Sequence, residues 1–155
     1  MAGTVEGRII AAGFALPAPA APVATYVPFV RTGNLVTVSG QLCFAPDGAL
    51  RHTGRMGSDF DLAAGQEAAR YAALNVLAQV KAAIGDLDRV TRVVRLGGFI
   101  NAGPGFTDLP KVMNGASDLM VAAFGEAGRH ARSTVGVAEL PLGALVEIEG
   151  LFEVA

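Results

Sequence analysis

The chain has a single cysteine, Cys43, among its 155 residues. An internal disulfide is therefore impossible, and one thiol with two histidines, His52 and His130, gives no metal-ligand spacing. Tryptophan is absent and aromatic residues make up only 6% of the chain, so a groove that stacks successive bases has little to be built from. Charge is scarce as well: 12 Lys and Arg stand against 14 Asp and Glu, and the basic residues are scattered, which argues against an extended nucleic-acid surface. No apolar run approaches membrane-spanning length. Residues 1–13 lack a basic segment followed by a long apolar one, so no secretory signal is expected and a cytoplasmic location is the default. Phosphate-cradling glycine motifs are missing: Gly97-Gly98 falls in an expected strand and Gly103-Pro104-Gly105 in an expected turn.

What is present is a large apolar fraction, 52%, enough for one substantial core in a chain of one domain's length. Residues 4–12 suit a short helix with Thr4 as N-cap and Ile9 and Ile10 as its apolar side. LPAPAAP, residues 16–22, cannot continue it and reads as an extended surface spacer. Residues 1–25 are thus expected to be an extension, and 26–155 the domain proper. Residues 26–30 are a candidate strand that Pro28 confines to an edge or bulge. After a Thr32-Gly33-Asn34 turn, residues 35–42 alternate as a strand, with Val36, Val38 and Leu42 on one face and Thr37, Ser39 and Gln41 on the other. A long helix is expected from Ser58 or Asp59 to Gly85. A strand follows near residues 91–100, and then a second helix from Pro110 to Phe124 with Val112, Met113, Ala116, Leu119, Met120 and Phe124 as its buried stripe.

The stretch 131–149, ARSTVGVAELPLGALVEIE, reads as two alternating strands about a Pro/Gly turn. If they pair with Val135, Val137, Val146 and Ile148 on the core, Arg132 and Glu147 share the opposite face. Two outcomes are open there. The guanidinium pairs with Glu147 or Glu149 on a wet sheet, or it is kept for the carboxylate of a small ligand, whose geometry its planar fork matches. Two helices and about six strands make an α+β layer with helices on one sheet face. The other face needs a cover, and self-association is the simplest one.

The same stretch resembles the C-terminal signature of the reactive-intermediate deaminases, the YjgF-like or liver perchloric-acid-soluble proteins. Gly33-Asn34-Leu35-Val36, Ser39-Gly40-Gln41 and Val112-Met113-Asn114 extend the match from Tyr26 to the C-terminus. The resemblance implies a chorismate-mutase-like fold and a homotrimer with sites in the clefts between subunits. It also implies a cofactor-free deaminase that converts 2-aminoacrylate-like enamines and imines to 2-keto acids and ammonia. Arg132 would grip the substrate carboxylate and Glu147 would hold the attacking water. Tyr26, Ser39, Gly40, Asn114 and Thr134 would shape the pocket, with no metal and no cofactor. A small-carboxylate sensor could use the same cleft without turnover, and some members carry a ribonuclease label that the acidic balance here disfavours. Three departures stand out: His130 replaces the proline that usually precedes Ala-Arg-Ser, Thr134 stands where some members have cysteine, and the loop over residues 99–110 is long and glycine-rich.

Overall fold

The computed structural model describes residues 3–22 and 24–155; of the extension expected over 1–25, Met1, Ala2 and Val23 lie outside the described residues. Among the described residues the sheet has five strands: β1 (Phe29–Thr32), β2 (Leu35–Leu42), β3 (Val90–Asn101), β4 (Ala131–Val137) and β5 (Val146–Val154). Their order is β1-β2-β5-β3-β4. β3 and β4 are parallel neighbours, and every other pair is antiparallel. Since β2 and β3 both oppose β5, β2, β3 and β4 all run the same way. Parallel strands need crossovers, and here α2 (Leu62–Ile84) and α3 (Leu109–Phe124) supply them. Both connections move across the sheet in one sense, so with a common hand they cover the same face. This is an α+β architecture with helices on one sheet face, as the alternation and helical periods predict, and it matches the chorismate-mutase-like fold that the family resemblance implies.

Local chemistry sets the helix ends. Asp61 accepts the Ala64 amide at 2.9 Å to start α2, and Gly85, at φ 85°, closes it. The start is thus three or four residues later than expected. All six residues of the expected α3 stripe are buried. The two helices approach closely at Gly115, where a Cβ would collide with the Gln66 carbonyl. The core between helices and sheet holds Val36, Val93, Leu96, Ile148 and Phe152.

Five strands form where about six are expected; residues 43–56 add none and make only isolated bridges, among them Phe44 with Leu50, Thr53 with Ala144 and Met56 with Ala102. β1 begins at Phe29 and not Tyr26; Pro28 has no N–H to give a ladder, though its carbonyl receives the Ser39 amide at 2.9 Å. A β-bulge between Val38 and Gln41 inverts the expected faces beyond it. Gln41 becomes buried, while Leu42 lies opposite Glu147.

Residues Thr4–Ala11 form α1, which packs against α3. Val5 and Ile9, one turn apart, are buried, whereas Ile10 is 58% exposed and not part of the apolar side. Thr4 lies inside the helix, and the N-cap Gly3 has no side chain to offer. The Asp88 carboxylate does the capping instead, accepting the Thr4 and Val5 amides at 2.9 and 2.8 Å. These bonds, the Val5 amide foremost, hold the Asp88 carboxyl below its ordinary 3.8. Glu6 meets Lys81 at 2.8 Å, and Gln79 donates to the Ala20 carbonyl at 2.7 Å, so helix and spacer are both tied to α2. Because the folded pKa is depressed, this stabilisation is present above the unfolded value and is lost as pH falls through the folded one. Asp88→Ala is expected to raise amide exchange across residues 4–11 at pH 7, with α2 unchanged, and the difference from wild type should vanish in acid. Equal exchange in both proteins at pH 7 would refute the cap.

Candidate functional site

Register decides which residues can meet. Arg132 of β4 lies opposite Leu96 of β3, which lies opposite Gly150 of β5; all three point to the helix layer. Glu147 lies opposite Phe99, which lies opposite Val135, and these point to the uncovered face. Arg132 and Glu147 therefore sit on opposite sides of the sheet, with β3 between their strands. The expected shared face does not form, and Val135 is 46% exposed instead of buried. The cause is topological: β3–α3–β4 is a parallel crossover, so β4 pairs with β3 and not with its sequence neighbour β5.

Arg132 is half-buried at the edge strand. Its Nη1 donates to Ser117 Oγ at 3.0 Å and its Nη2 to the Pro110 carbonyl at 3.1 Å. Pro110, Asn114 and Ser117 are four and three residues apart on α3, so they form one stripe over the strand. Asn114 lies between these two anchors on the stripe and is itself exposed. Among the described residues no carboxylate is within salt-bridge distance of Arg132: Glu149, the other candidate partner, meets Arg95 at 3.6 Å. A guanidinium has five N–H donors. Two are used, both on neutral acceptors, so three remain and the charge is unneutralised. Thr134, two residues on and on the same side, buries an Oγ1 that has no partner among the described residues. Arg132, Thr134 and Asn114 together make up one half of the candidate site.

The other half lies on the uncovered face. Glu147 stands over Gly40, where a Cβ would strike its Oε1. The bulge at Ser39-Gly40 thus clears the space that the carboxylate occupies. Burial first, and the neighbouring Glu149 charge second, push the Glu147 carboxyl above its ordinary 4.5. No hydrogen-bond donor within the described chain satisfies it. Ser39 Oγ donates to the Val27 carbonyl at 2.7 Å, which ties the segment before β1 to the bulge. Tyr26, in that segment, is 50% exposed. Val30, Leu35 and Val135 are also exposed on this face.

Sequence reading missed Ser117, though its place on a stripe with Pro110 and Asn114 was there to be seen. His130, in the place of the proline usual before Ala-Arg-Ser, is not left in solvent. Instead the ring is held at both nitrogens, by Gly128 and Ser117. Cys43 is buried, and burial raises its thiol pKa, as suits a packing residue. No group of three or more metal-ligating side chains occurs among the described residues. Cavities of about 480 and 570 Å³ lie under α1 and the spacer and are lined by none of the residues of either half-site. Among the described residues no helix is long and apolar enough to cross a membrane.

Residues 6–154 match the family model described as "YjgF/chorismate mutase-like, putative endoribonuclease". A curated relative, protein TCP17 of Trypanosoma cruzi, is 49% identical over 97% of this chain and 94% of its own length. The crystal structure of Atu1372 from Agrobacterium tumefaciens, described as of unknown function, superposes with a TM-score of 0.91 at 47% identity, covering 98% and 94% of the two chains. RidA from the Antarctic bacterium Psychrobacter sp. PAMC 21119 gives 0.61 at 33% identity, covering 88% and 94%.

Proposed function

The chain belongs to the YjgF/chorismate-mutase-like family, and from that premise we propose that it is a cofactor-free hydrolytic deaminase of 2-aminoacrylate-like enamines and 2-imino acids. The observation that carries this reading is the half-buried Arg132, whose guanidinium has neutral neighbours, three spare donors and no carboxylate of its own. A cation kept in that condition suits a carboxylate-bearing guest. The similarity to RidA supports the same reading.

The chemistry needs little more. The enamine takes a proton on its terminal carbon and gives one up from its nitrogen, becoming the imine. Water then adds to the imine carbon, giving a carbinolamine, whose C–N bond breaks to release ammonia and leave the 2-keto acid. Glu147 accepts a proton from the attacking water and returns it to the departing nitrogen; a carboxyl pushed towards neutral pH is better suited to both transfers than an ordinary one. Thr134 and Asn114 line the carboxylate end. Tyr26, Ser39 and Gly40 shape the wall beside Glu147.

Arg132 and Glu147 cannot serve one substrate within a single chain, because they lie on opposite sheet faces. The reading therefore requires a second copy that presents its uncovered face to the first copy's β4 edge. A homotrimer with three such clefts, the assembly that the family resemblance implies, supplies it. The exposed Val30, Leu35 and Val135 support burial of that face. Sedimentation should give three times the chain mass at micromolar concentration. A stable monomer that is fully active would exclude the arrangement. For the activity, imines are generated in place by an amino-acid oxidase and keto-acid release is followed. Acceleration over the uncatalysed rate is expected, and its absence across several amino acids would overturn the proposal.

A further inference from the structure

Two hydrogen bonds at His130 fix its protonation. Nδ1 is 2.6 Å from the Gly128 carbonyl, which can only accept, so Nδ1 carries the proton and donates. In the neutral ring Nε2 is then a lone pair. Its partner at 2.9 Å, Ser117 Oγ, must be the donor. Burial holds the ring's pKa below the ordinary 6.5 despite the Gly128 carbonyl, and Arg132's charge adds to the lowering, so the neutral form is the one present at pH 7. With its hydrogen committed to His130, Ser117 meets Arg132 Nη1 with a lone pair. The run is therefore directional: Arg132 donates to Ser117, Ser117 to His130, and His130 to Gly128.

A serine inside a helix can instead rotate its side chain so that the hydroxyl bonds the carbonyl four residues earlier, here that of Met113. Such a rotation would carry Oγ and both its lone pairs away from the guanidinium. His130 competes for that hydrogen. We propose that His130 is a positioning residue which, through Ser117, sets the plane of the Arg132 guanidinium so that its unused donors face a carboxylate guest. The role extends the carboxylate-binding reading above and rests on it. It belongs to the residue that replaces the proline usual before Ala-Arg-Ser, so it would be particular to chains with histidine there. Arg132's second anchor, the Pro110 carbonyl, is backbone and keeps the fork from swinging freely. His130 therefore tunes affinity and does not create it.

The test uses 2-oxobutanoate binding by calorimetry in the full-length protein at pH 7. Ser117→Ala is expected to weaken binding ~10-fold and His130→Leu ~5-fold, the scale of one charge-assisted hydrogen bond misplaced. His130→Gln, whose amide oxygen can accept from Ser117 as Nε2 does, should stay within ~2-fold of wild type. The double variant Ser117→Ala/His130→Leu should bind no more weakly than Ser117→Ala, because the histidine acts only through the serine. Multiplying losses, or wild-type affinity in His130→Leu, would overturn the proposal. A second arm needs no ligand: nitrogen NMR should find His130 protonated on Nδ1, and the Arg132 side-chain signal should shift in His130→Leu and return in His130→Gln. No shift would overturn the positioning role. A shift in His130→Leu together with no 2-oxobutanoate binding by the wild type would instead sink the carboxylate-binding reading and leave the relay standing.

Discussion

Arg132→Ala is expected to lower kcat/KM for imine hydrolysis by ~10²–10³-fold, the cost of one bidentate charge-assisted pair at ~1.4 kcal/mol per tenfold. Most of the loss should appear as a higher KM, because the carboxylate is held in ground state and transition state alike. Thermal stability should change little. The substitution removes a half-buried cation that no acid neutralises, and it gives up two bonds to neutral acceptors, Ser117 Oγ and the Pro110 carbonyl. The opposite would hold for an arginine paired with a carboxylate, where deletion strands the partner and destabilises the fold. Arg132→Lys keeps the charge but loses the fork and should fall between the two. The measurement is keto-acid release in the oxidase-coupled assay beside a melting curve. Wild-type kinetics in Arg132→Ala would remove the enzyme reading, and a large drop in melting temperature would assign the residue to the fold.

The sequence carried the elements well where one physical signal acted alone. The bounds of β2 follow from alternation between two turns, and the buried stripe of α3 from its helical period. It failed where a third element decides the answer. In β4 the two valines suggested the inward face, yet an edge strand beside α3 is buried according to what α3 offers, and that is the polar stripe Pro110, Asn114 and Ser117. Alternation cannot say which face of a strand a helix will cover. Nor can it show a bulge: Ser39-Gly40 shifted every assignment after it, exchanging Gln41 and Leu42. Alternation singled out Arg132 and Glu147, and the other candidates came from the family resemblance. Their division into two half-sites came only from sheet register, because adjacency in sequence hid β3 between β4 and β5.

That division sharpens what Glu147 should do. Glu147→Gln is expected to lower kcat by ~10²-fold or more, by removing the group that moves protons between water and nitrogen. The same change should raise the stability of the folded chain at neutral pH. The Glu147 carboxyl has its pKa pushed up by burial and then by Glu149, so its charged form is disfavoured in the fold. Below the unfolded pKa both states are protonated and there is no penalty. The penalty grows as pH rises between the unfolded and folded values and is constant above them. Glutamine never pays it, so denaturant midpoints of variant and wild type should coincide in acid and separate towards pH 7, with the variant higher. A lower midpoint at pH 7 would mean that a partner stabilises the charge. The two half-sites permit one more test with this variant. In trimers assembled from an equal mixture of Arg132→Ala and Glu147→Gln chains, half of the clefts receive an intact arginine and half an intact glutamate, so about a quarter of clefts receive both. Activity should return to about that fraction of wild type from two nearly inactive parents. If both groups acted from one chain, mixing would restore nothing, and the opposed-face geometry would have to be abandoned as the basis of the site.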